Sequence, residues 1–174
     1  MTDNKKPAVF GVTGWKNSGK TRLVAGLVRE FGNRGFIIST VKHAHHGFDV
    51  DKPGTDSFAH RDAGAQEVAL VSGRRWVLMH ENRGSGEPEL DDILAKLAPC
   101  DIVIIEGFKS SPYPKVEATR SATKRDKPIW PNDPNIVAIA SDYEITDSGR
   151  TIFDLDNIKA IADFILNYLK MSAK

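Results

Sequence analysis

Residues 14–21 read Gly-Trp-Lys-Asn-Ser-Gly-Lys-Thr and satisfy G-x-x-x-x-G-K-[ST] at every fixed position. No other stretch constrains the fold as tightly. The two glycines let the backbone curl so that successive N–H groups point at one phosphate chain. The lysine then reaches the β- and γ-phosphates, and the hydroxyl of the last residue suits Mg²⁺. Such a loop needs a buried strand before it and a helix after it. Ala8-Val9-Phe10-Gly11-Val12-Thr13 is the apolar run that enters it. Beyond it, Leu23, Val24, Leu27, Val28 and Phe31 recur at helical spacing. The expected contacts to a nucleotide triphosphate are Gly14, Asn17, Ser18, Gly19, Lys20, Thr21 and Arg22.

The rest of the chain alternates strand and helix signals, the pattern of an α/β architecture. A strand is expected over 8–13, a helix over 20–33 closed by Gly35, and a second strand over 36–41. A polar stretch runs from Lys42 to Asp62, and its end, Thr55 to Ala63, reads as a short helix capped by Thr55 or Asp56. Glu67–Ser72 and Trp76–Met79 form a hairpin candidate across Gly73-Arg74-Arg75. A helix over 90–97 and strands over 101–106, 115–118 and 136–140 come next, then a terminal amphipathic helix over 158–169. The segment 110–134, rich in Pro, Lys and Arg, is expected to be partly mobile. With no internal repeat and no long linker, the 174 residues are expected to form one nucleotide-binding domain over 1–174.

Composition narrows the function classes. Lys+Arg 24 against Asp+Glu 23 gives a net charge of +1, which lends no support to bulk nucleic-acid or membrane binding. The single cysteine, Cys100, excludes an intramolecular disulfide. No secretory h-region opens the sequence and no apolar run approaches 18 residues, so the expected location is the cytoplasm.

Four further groups carry chemistry. Ile102-Val103-Ile104-Ile105-Glu106-Gly107 resembles a Walker B strand, a buried run ending in an acid that faces the phosphates. Glu106 is the candidate to hold Mg²⁺ through water or to orient an attacking water. The loop after the second strand carries His43, His45, His46, Asp49, Asp51, Asp56 and His60. Asp51 or Asp56 is a candidate second acid for Mg²⁺ and catalysis; the alternative is a transition-metal site built on the histidines. Asp142, at the end of another core strand, is placed to accept from guanine N1–H and the exocyclic amine. Lys42, Lys109, Lys115, Arg120 and Arg125 are candidates for a positive rim on the same edge.

These segments together resemble one family. Gly14–Thr21, Val41-Lys42-His43-Ala44-His45-His46, Asp49-Val50-Asp51-Lys52-Pro53-Gly54-Thr55-Asp56-Ser57, Ala63-Gly64-Ala65 and Glu106-Gly107-Phe108-Lys109 are similar to the molybdopterin-guanine dinucleotide biosynthesis protein B (MobB) family. The resemblance implies a P-loop fold with a mostly parallel sheet flanked by helices. It further implies binding of GTP with Mg²⁺, weak GTPase activity, and a homodimer. The expected partner is a guanylyltransferase that joins GMP to molybdopterin cofactor, with the molybdopterin itself a possible ligand. Some relatives in the wider GTPase class carry a signature lysine directly after the first loop glycine; here Trp15 stands there, followed by Lys16. A metal-delivery GTPase, a small-molecule kinase and a non-hydrolysing binding module are the competing readings.

Overall fold

The computed structural model describes residues 6–44, 47–123 and 126–172. Its backbone clusters into two compact units, one of Met1–His43 with Leu97–Lys174 and one of Ala44–Lys96. The sequence reading treats 1–174 as a single domain.

The larger unit is a six-stranded sheet in which every pairing is parallel. Its strands are β1 (Ala8–Thr13), β2 (Ile38–Lys42), β5 (Ile102–Glu106), β6 (Lys115–Thr119), β7 (Ile136–Ser141) and β8 (Thr151–Asp154), in the order β2-β5-β1-β6-β7-β8. Two long helices, α1 (Lys20–Asn33) and α4 (Ile158–Tyr168), belong to the same unit. Alternation along the strands sorts the side chains. Phe10, Val12, Ile102, Ile104, Val116, Ala118, Ala138 and Ala140 share one core with Leu23, Leu27 and Phe31 of α1 and Ile161 and Ile165 of α4. The apolar stripe read from the sequence for residues 20–33 is thus the buried face of α1.

Two differences from the sequence expectation have local causes. β2 starts at Ile38 rather than 36. Phe36 is used to close α1: its N–H donates to Phe31 O and its ring meets Phe31 edge-on, with centroids 6.2 Å apart. β8 gave no sequence signal because it lies at the sheet edge with mostly exposed side chains.

The smaller unit holds α2 (Asp56–Asp62), the antiparallel pair β3 (Glu67–Val71) and β4 (Trp76–His80), and α3 (Leu90–Ala95). Thr55 caps α2, its Oγ1 accepting from Phe58 N at 3.4 Å. Register places Val71 opposite Trp76 and Ala69 opposite Leu78. Val71 is 79% exposed and Trp76 71%, so one face of the hairpin presents apolar surface. Arg61 gathers three acids of this unit, with Nη2 3.1 Å from Asp49 and 2.7 Å from Asp51, and Nη1 3.5 Å from Glu81.

The loop after β1 sets the tightest backbone demand. Gly14 has φ +139°, and a Cβ there would lie 2.3 Å from Ala118 O and 2.6 Å from Ser18 Oγ. Gly14→Ala is expected to cost about 2–4 kcal/mol in urea unfolding, through strain and overpacking together. Gly32→Ala is the control: a Cβ on Gly32, inside α1, meets nothing within 4 Å, and this change is expected to stabilise by about 0.5–1 kcal/mol.

Candidate functional site

The phosphate-binding loop lies where β1 gives way to α1. Asn17 adopts φ 64° and Gly19, the N-cap of α1, φ 95°, and no side chain caps the helix. The first turn of α1 contains no acid. Its N–H groups therefore face a space suited to an anion. Ser18 Oγ and Thr13 Oγ1 are buried and make no hydrogen bond among the described residues. A cavity of about 390 Å³ opens here, lined by Asn17, Ser18, Gly19, Lys20, Thr21, Arg22 and Arg120. The donor set fits a polyphosphate: backbone N–H groups, the hydroxyls of Ser18 and Thr21, the Lys20 ammonium and the guanidiniums of Arg22 and Arg120.

β5 delivers Glu106 to the same place. Thr21 Oγ1 donates to Glu106 Oε1 at 3.0 Å, and Lys42 Nζ lies 3.0 Å from the same oxygen. Lys20 Nζ donates to Trp15 O at 2.6 Å. Burial holds the Lys20 ammonium below the ordinary lysine range; the Glu106 carboxylate opposes that, and Lys109 and Lys42 add to it. A bound phosphate would oppose that lowering by favouring the charged form. A hydroxyl beside a carboxylate is the kind of oxygen pair that Mg²⁺ takes when phosphates supply further ligands. After Glu106 the chain turns sharply: Gly107 has φ +92°, and a Cβ on it would lie 3.1 Å from His43 Cβ. His43 packs against Phe108, ring centroids 4.9 Å apart.

On the other flank of β1, Asp142 follows β7. Its Oδ1 accepts from Ser121 N at 2.6 Å. Carboxylate oxygens hold more than one lone pair, so this bond leaves acceptor capacity for a further donor. Arg22, at the start of α1, pairs with Asp156 at 3.1 Å on the exposed surface.

The positive rim expected from five basic residues is only partly formed. Lys42 is committed to Glu106, and Lys109 Nζ sits 3.7 Å from the Trp15 ring centroid. Lys115 is not at the rim at all: it is 1% exposed, with Nζ 2.6 Å from Ser111 O, 3.2 Å from Lys109 O and 3.0 Å from Asp133 Oδ2. Arg125 lies outside the described residues.

Lys115 and Glu117 point to the same face of β6, and neither signalled its role in the sequence. Glu117, also buried, accepts from Ile129 N at 3.1 Å and from Trp130 N at 2.8 Å. Trp15 Nε1 donates to Lys127 O at 2.7 Å. The segment expected to be mobile is therefore anchored, in its described part, by two buried charges and by the loop tryptophan. The only available signal was Lys-Val-Glu, a strand with charges at alternate positions.

In the smaller unit, Asp51 is buried and its Oδ1 accepts from Arg61, while Oδ2 makes no hydrogen bond among the described residues. Asp56 opens α2 and is exposed. His45 and His46 lie outside the described residues. Among the described residues, no three His, Cys, Asp or Glu side chains converge on a metal position. No helix among them is long and apolar enough to cross a membrane.

A parallel sheet with this loop between its central strand and first helix defines a P-loop nucleotide-binding fold. Residues 9–142 match the family model described as "Molybdopterin guanine dinucleotide synthesis protein B". A molybdopterin-guanine dinucleotide biosynthesis adapter protein from Haemophilus influenzae is 37% identical over 169 residues, 95% of this chain and 92% of the relative. Its namesake from Escherichia coli is 30% identical over 158 residues, 90% of each chain. The crystal structure of a MobB homolog from Bacillus stearothermophilus superposes with a TM-score of 0.71 at 26% identity, over 93% of this chain and 97% of the other. The chain belongs to the MobB family, and its role lies in molybdenum-cofactor biosynthesis.

Glu117 carries a pH signature. Burial raises its carboxyl above the ordinary 4.5, against the backbone bonds from Ile129 and Trp130 and the charge of Lys109, with Asp133 adding to the rise. The folded state thus holds this proton to higher pH than the unfolded chain. Stability contributed by the protonated form is present below the ordinary value and is lost as pH rises through the raised one. Asp133 behaves oppositely. Burial disfavours its charge, but the hydrogen bonds from Lys115 and Asn135 and the Lys115 charge outweigh burial and lower its pKa. Its contribution disappears as pH falls through that lowered value. Glu117→Gln is expected to flatten the stability decline above pH 4.5 and leave the acid limb in place, read by urea midpoints across pH.

Proposed function

We propose that this chain binds GTP with Mg²⁺ at the Gly14–Thr21 loop and acts in the cytoplasm as an accessory protein to a molybdenum-cofactor guanylyltransferase, with a weak GTPase activity of its own. The observation that carries the nucleotide reading is the uncapped start of α1 beside the Thr21–Glu106 pair, where orphan donors meet an oxygen pair suited to a hard cation. The relatives' designation as adapter proteins supports the accessory role.

The chemistry assigned to this site is positioning and electrostatics. Loop N–H groups and Ser18 Oγ hold phosphate oxygens. Lys20 exchanges Trp15 O for the β- and γ-phosphates. Thr21 and Glu106 would hold Mg²⁺, which would supply positive charge to the phosphates. We assign Glu106 also to orienting an attacking water, and Asp51 and Asp56 to Mg²⁺-dependent hydrolysis. Asp142 reads guanine with the acceptor capacity that its Ser121 bond leaves free. Molybdopterin is a candidate second ligand.

Two experiments test this reading. Lys20→Ala is expected to weaken GTP binding by about 10- to 100-fold, the loss of a charge-assisted contact, with native circular dichroism. In the parent protein, competition titration is expected to favour GTP over ATP, and Asp142→Asn to narrow that gap while its amide oxygen keeps the Ser121 bond. Equal affinities for GTP and ATP in the parent would remove the guanine reading.

The exposed apolar face of Val71, Trp76 and Leu78 supports a homodimer through the β3–β4 hairpin. Apolar strand surface of this kind is a template for association. Sedimentation at tens of micromolar is expected to give twice the 19.2 kDa chain mass, and Trp76→Glu to shift the protein toward monomer. A monomeric parent would end this assignment.

A further inference from the structure

Arg120 is the first residue beyond β6, and it reaches back over the phosphate-binding loop. A Cβ on Gly19 would lie 2.9 Å from Arg120 Nε and 3.0 Å from Leu155 Cδ2, so the guanidinium rests against the start of α1. Nε is buried and makes no hydrogen bond among the described residues. The side chain lines the same cavity as Asn17–Arg22. Its backbone is pinned on both sides. Arg120 N donates to Thr123 Oγ1 at 3.3 Å, Thr123 N to Arg120 O at 2.8 Å, and Ser121 N to Asp142 at 2.6 Å. A guanidinium at a cavity of backbone donors, held in place and short of one acceptor, is built for an oxyanion.

Strand order says which oxyanion. β5 lies on one flank of β1, and β6, β7 and β8 lie on the other. Glu106 and Lys42, the groups around Lys20 and Thr21, belong to the β5 flank. Arg120, Asp142 and Leu155 belong to the β6–β8 flank. A triphosphate whose Mg²⁺-bound end sits at Thr21 and Glu106 must run its α-phosphate and ribose toward the second flank. Resting on the nucleotide reading proposed above, we infer that Arg120 binds the α-phosphate of the guanine nucleotide. It is a second cation, distinct in duty from Lys20.

The two cations should then separate by phosphate number. Affinities of the full chain for GTP and GDP, with Mg²⁺, are measured by calorimetry. GMP is titrated to millimolar concentration by amide NMR. Arg120→Ala is expected to weaken GTP, GDP and GMP by a similar factor, about tenfold or more. Lys20→Ala is expected to weaken GTP and GDP and to spare GMP. Arg120→Lys keeps the charge without the fork and is expected to weaken all three alike by a smaller factor. It carries the test if Arg120→Ala does not fold. Loss confined to GTP would make Arg120 a γ-phosphate residue and overturn the assignment. So would unchanged affinities in the Arg120 variants, or no GMP-induced shift at the Arg120 amide in the parent. If Lys20→Ala still loses GTP in those cases, only the Arg120 assignment falls. If Lys20→Ala binds GTP normally, the nucleotide reading falls with it.

Discussion

The register of β1 between β5 and β6 governs this molecule. Val12 pairs with Glu106, and Thr13 with Glu117. That register brings three strand ends to one edge, with an acid at the end of one neighbour and a buried acid within the other. A slip of one residue would turn Phe10 and Val12 out of the core and exchange the two faces of the strand. The phosphate-binding loop has its geometry because β1 cannot slide: β1 and its neighbour β5 bury apolar side chains on both faces.

Around that edge the charges are paired before any ligand arrives. Glu106 is shared by Thr21 and Lys42, Lys20 is held on a carbonyl, and Lys109 lies on an indole. The contact of Lys20 with a neutral carbonyl is weaker than the one a charged phosphate would make. Ligand entry therefore trades partners and does not create a charge cluster from nothing. The depressed lysine at the centre reports the same economy, since burial among other cations leaves it short of the counter-charge that a phosphate supplies.

Much of the larger unit was legible in the sequence because its signals are local. The loop motif is contiguous, α1 carries a five-residue apolar stripe, and β5 is an apolar run ending in an acid. All three elements lie where the pattern put them. The parts that escaped are non-local. Lys115 read as a surface lysine, since nothing nearby announces that Asp133 and two carbonyls will surround it. β8 is an edge strand without a buried repeat. Arg61, which joins Asp49, Asp51 and Glu81, was invisible because its partners are spread along the chain and the link between them is tertiary. The acids of that loop looked like free ligands, and Asp51 proves to have a guanidinium beside it.

Glu117 holds residues 129 and 130 by their backbone N–H groups and by nothing that depends on their side chains. Trp15 likewise holds Lys127 through its carbonyl. A segment gripped by its main chain is free to drift. Any residue except proline can stand at 129 or 130 and leave the grip intact. Selection would then act on the glutamate and the tryptophan, while the residues they grip diverge between lineages. The shape of this stretch would outlast its spelling, and structure would recognise the segment long after its sequence had ceased to.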